Sequence, residues 1–66
     1  MTLRYHVVTW GTGYRLTREG ARRATRVFPD GFTMAQSLGW YLLNRDCVII
    51  VHDRDGFPVR RLGVLR

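Results

Sequence analysis

With 66 residues the chain holds one domain at most, and a domain this short buries only about 60% of its extended surface on folding. The single cysteine, Cys47, excludes an internal disulfide, and one thiol with two histidines leaves little for a structural metal site. All 11 basic residues are arginine, against 5 carboxylates, and the resulting net charge of +6 favours anionic partners.

Leu3 to Trp10 (LRYHVVTW) is rich in β-branched and aromatic residues and reads as a strand. Gly11-Thr12-Gly13 makes a turn, its glycines allowing positive φ. A phosphate-binding glycine loop needs a longer glycine pattern that opens a helix. Here a second strand follows instead, the alternating Tyr14 to Glu19 (YRLTRE). Beyond Gly20 a third strand runs from Arg22 or Arg23 to Phe28, and Pro29-Asp30-Gly31 breaks it. The spacing predicts a helix from Thr33 to Asn44. Thr33 and Gln36 match the capping box, in which each side chain bonds a free backbone N–H near the helix start. Met34, Leu38, Tyr41 and Leu42 form a stripe that would lie on a sheet. Cys47 to His52 (CVIIVH) is a continuous apolar run of the kind buried on both faces. Asp53-Arg54-Asp55-Gly56 supplies a hairpin turn, and Phe57 to about Leu65 forms a last strand, which Pro58 and Gly63 mark as an edge.

The order β-β-β-α-β-β predicts an α+β domain with a mostly antiparallel sheet. The first strands form a meander, the strands flanking the helix run parallel, and a right-handed crossover sets the fourth beside the first. The implied sheet order is 3-2-1-4-5, with one face under the helix and the other bare.

The stretches YHVV (Tyr5 to Val8), GY (Gly13-Tyr14), REGARRAT (Arg18 to Thr25) and VHDRDG (Val51 to Gly56) lie in order around the Thr33-started helix. Together they resemble the short bacterial proteins of domain of unknown function 2188. That family reads Y-H-V-V, then G-W, a charged E-G-A with R-A-S, T-x-x-E-A, and V-x-x-x-D-G. The resemblance spans about residues 4 to 60 and implies a fold of this kind with no assigned activity. Tyr14 stands where the family has Trp, Gln36 and Ser37 replace its Glu-Ala pair, and Trp40 replaces a small residue.

No charged residue occurs from Met34 to Asn44, although an ordinary surface helix carries charge on its outer face. Gln36, Gly39, Trp40 and Leu43 cluster opposite the sheet-facing stripe and fit a contact with another subunit or partner. The plain alternative is that Trp40 covers a neighbouring loop. With no disulfide or metal to reinforce so small a core, association is the remaining device, and a homodimer is expected.

The segment Tyr14 to Arg26 carries Arg15, Arg18, Arg22, Arg23 and Arg26 against Glu19 alone. In a hairpin of the second and third strands they would gather at one edge and tip of the sheet. Tyr5, Trp10, Tyr14 and Phe28 are expected to lie among these charges on the sheet, and a basic sheet with interleaved aromatics suits DNA or RNA. The competing readings are a solvated edge that resists pairing with other chains, or a surface for an acidic protein. Arginine in place of lysine suits bidentate phosphate contact, but a GC-rich genome also favours it.

His6, His52, Asp53 and Asp55 lack the spacing of a metal site, and the aspartates serve the turn. Cys47 opens a buried strand, Ser37 has no base at a matching spacing, and no acid/base pair of carboxylates is evident. The expectation is therefore a non-enzymatic protein without cofactor or metal. Polar residues interrupt Met1 to Trp10 and no apolar run exceeds Val48 to Val51, so neither a signal peptide nor a membrane span is expected. With the free thiol this suggests the cytoplasm.

Overall fold

A computed structural model describes residues 2–63. The elements are β1 (Leu3–Trp10), β2 (Gly13–Arg18), β3 (Arg26–Phe28), α1 (Gly31–Asn44), β4 (Cys47–His52) and β5 (Pro58–Leu62). They build an α+β fold, one five-stranded sheet in the order β3-β2-β1-β4-β5 with a single helix. The sheet is mixed: β1 pairs with β4 in parallel, and the other pairings are antiparallel. The helix carries the chain from one edge, past β2 and β1, to β4. Among the described residues no helix is long and apolar enough to cross a membrane.

Side-chain alternation sorts the strands into two faces. Tyr5 and Val7 of β1, Leu16 of β2, Phe28 of β3 and Cys47 and Ile49 of β4 point under α1. Leu38 and Tyr41 descend onto them, with Met34 and Leu42 partly buried at the margin. The helical stripe expected from the sequence therefore forms the roof of the core. Tyr5 and Tyr41 meet with ring centroids 5.4 Å apart, which ties the roof to the central strand.

Three boundaries differ by more than one residue from the sequence expectation. The helix starts at Gly31, because Asp30, not Thr33, is its N-cap; an Asp30 carboxylate oxygen accepts the Thr33 N–H at 2.7 Å. Asp30 sits extended just before the first turn, where a carboxylate also complements the positive end of the helix. The Thr33 backbone N–H, assisted by its hydroxyl, holds the Asp30 carboxyl below the ordinary carboxylate range. The third strand is only Arg26–Phe28, since the Ala21 N–H bonds back to the Arg18 carbonyl and turns Arg22 to Thr25 into a loop. The last strand ends at Leu62, and Val64 and Leu65 lie outside the described residues.

Candidate nucleic-acid interface

The face of the sheet opposite α1 has no cover among the described residues. By register it presents Arg4, His6, Val8 and Trp10 from β1 and Arg15 and Thr17 from β2. Ile50 and His52 of β4 continue it, with Val48 buried beside β1, and Arg61, opposite Ile50, closes it on β5. Trp10 is 54% exposed, and the Arg15 guanidinium stacks over its ring, 4.3 Å from the centroid. On this face the Arg15 Nε and the Thr17 hydroxyl are buried without a hydrogen-bond partner.

Two shallow hollows mark the face. One, of about 220 Å³, is lined by His6, Val8, Arg15, Thr17, Arg18 and Glu19 among others. The other, of about 370 Å³, lies toward β5 and is lined by Arg4, Ile50, Pro58, Val59, Arg60 and Arg61. Between them runs a chain of hydrogen bonds. A Glu19 carboxylate oxygen lies 3.0 Å from His6 Nε2, His6 Nδ1 lies 2.8 Å from His52 Nε2, and the Gly56 carbonyl accepts from His52 Nδ1 at 3.0 Å. Arg4 reaches the other oxygen of Glu19 at 4.0 Å, a half-exposed contact worth little by itself.

The arginines singled out in the sequence are distributed around the β2–β3 edge. Arg15 alone belongs to the open face. Arg18 and Arg26 share the helix side by register, though both are exposed, and Arg22 and Arg23 stand in the exposed loop. Of the aromatics, Tyr5 and Phe28 are core, Tyr14 packs against the core, and only Trp10 is available on this face. Arg4 and Arg61 belong to the open face from strands outside that segment. Their signal lay in strand parity: with β1 beside β4 in parallel, Arg4, His6, Ile50 and His52 fall on one side.

On the far side of the molecule Gln36, Trp40 and Leu43 face solvent, with Trp40 52% and Leu43 87% exposed. Gly39 is partly exposed, with open space where a Cβ would stand. Arg45 lies near both aromatic rings at the helix end, 5.7 Å from the Trp40 centroid and 5.6 Å from that of Tyr41. An apolar groove of about 600 Å³ runs between α1 and β5, lined by Met34, Leu38, Gly39, Leu42, Val59 and Leu62 among others.

Cys47 points under the helix, its thiol 3.5 Å from the Tyr41 carbonyl. Burial pushes this thiol up, Asp46 adds to the shift, and Arg45 opposes it, so the thiolate is disfavoured. Cys47 and His52 occupy opposite faces, as their separation in the strand requires. Among the described residues no group of three or more His, Cys, Asp or Glu side chains is placed to hold a metal ion. No family model matches the chain, and neither a curated protein nor a solved structure does.

Proposed function

We propose that the chain is a non-enzymatic nucleic-acid-binding module whose open sheet face takes single-stranded DNA or RNA. The observation that carries this reading is the Trp10–Arg15 stack on an uncovered face in a protein of net charge +6. An exposed indole offers a platform for one base, and stacking on such a ring contributes about 1–3 kcal/mol. Arg15, Arg4 and Arg61 supply guanidinium groups on either side for backbone phosphates. The exposed Arg18, Arg22, Arg23 and Arg26 extend the positive field around one edge and act on encounter rather than register. Sequence preference is weak, since no helix presents base-reading polar side chains.

The uncharged helix face supports a second contact, homodimerisation or docking of a partner protein, because Trp40 and Leu43 remain largely exposed beside an apolar groove. The motif resemblance adds membership of domain of unknown function 2188 to the proposal, without adding an activity. Binding of a labelled single-stranded oligonucleotide separates the two faces. Trp10→Ala and Arg15→Ala are expected to weaken it about tenfold or more, and Trp40→Ala to leave it unchanged at concentrations where the protein is monomeric. The opposite ranking assigns function to the helix.

A further inference from the structure

The Glu19–His6–His52–Gly56 chain has a proton count that fixes its charge. Carboxylate and carbonyl oxygens only accept, so His6 Nε2 and His52 Nδ1 must both carry hydrogen to make the end contacts. The central contact, His6 Nδ1 to His52 Nε2, needs a hydrogen on one of the facing nitrogens. That is three N–H hydrogens on two rings, whereas two neutral imidazoles hold one each. We propose that His6 and His52 share a single proton in this relay, and that its loss weakens binding at the open face. The second half of the inference rests on the nucleic-acid reading above.

Both neighbouring protonation states break the chain. With a second added proton the facing nitrogens both bear hydrogen and repel at 2.8 Å. With no added proton one of the contacts lacks its hydrogen, and both end bonds, to Glu19 and to the Gly56 carbonyl, are exposed. The charged groups around the relay are Arg4 on β1, Arg15 and Arg18 on β2, Glu19 beyond it and Arg61 on β5. Arg54 and Asp55 stand in the adjoining turn. The Asp53 carboxylate there accepts the Asp55 and Phe57 backbone N–H groups. Among the described residues Glu19 is thus the one carboxylate in direct contact with the pair. Held by a cationic pair, Glu19 is neutralised and the face carries one more positive charge between its arginine hollows. Beside a neutral pair, Glu19 keeps its full negative charge next to Arg4, which it already reaches at 4.0 Å, and competes with phosphate there.

Two readouts test the idea. In histidine-labelled protein without ligand, ring resonances followed against pH should show one proton taken up by both rings together. In His52→Gln the joint response should disappear, leaving the His6 ring to follow pH without a partner ring. At fixed ionic strength, affinity for a single-stranded oligonucleotide should rise roughly fivefold as pH falls from about 8 to about 5.5, the effect of about one added phosphate contact. The double variant His6→Gln/His52→Gln should flatten that dependence. Two rings that titrate independently, or a pH response unchanged in the double variant, would overturn the proposal. Absence of oligonucleotide binding at every pH sinks the binding reading, and the ring titration alone then decides the shared proton.

Discussion

Gly13 and Gly11 flank the same turn and are needed for different reasons. Gly11 has φ of 60° with open space around it, so a side chain there meets only backbone strain. Gly13 is not in that conformation, and a Cβ on it would run into the Phe28 carbonyl where β2 meets β3. Gly11→Ala should therefore cost about 1 kcal/mol, while Gly13→Ala should cost about 3 kcal/mol by forcing the strands apart. Urea midpoints of the two variants check the ranking. Asp30 makes the third residue-scale case. Its carboxyl is held below the ordinary range by the Thr33 N–H and hydroxyl, so its contribution is present above that range and disappears as pH falls through the lowered value. Asp30→Ala should lower the melting temperature by about 5 °C at neutral pH, with the gap to the parent closing in acid.

At the scale of elements, α1 carries opposite roles on opposite faces. Leu38 is 4% exposed in the roof of the core, and Leu38→Ala should destabilise by about 2–5 kcal/mol. Trp40 faces solvent, so Trp40→Ala should leave the urea midpoint nearly unchanged while lowering any self-association seen by light scattering. The helix stripe and the strand order were readable from periodicity, because 3.6- and 2-residue repeats record which face is buried. The helix start was displaced because two capping signals compete, and the carboxylate of Asp30 sits closer to the first turn than the Thr33–Gln36 pair supposes. The third strand was overextended because an arginine-rich stretch alternates whether or not it pairs, and Arg22 to Thr25 form a loop. The candidate interface was only partly legible. Arg15 was found from local charge, but Arg4, Arg61 and the His6–His52 contact join strands distant in sequence and needed the parallel β1–β4 register.

For the whole molecule, the decisive feature is the separation of its two exposed chemistries. The core lies between them, with a basic and aromatic sheet face on one side and an uncharged helix on the other. A positive surface of this kind draws nucleic acid by releasing counterions, so its affinity must depend on salt. The measurement to make is fluorescence anisotropy of a labelled single-stranded oligonucleotide, titrated with protein across a series of salt concentrations. Phosphate contacts from Arg4, Arg15 and Arg61 predict saturable binding whose log affinity falls linearly with log salt, with a slope of about −2, made shallower by about 0.7 in Arg15→Ala. No binding at low salt, or an affinity indifferent to salt, would contradict a nucleic-acid function for this face.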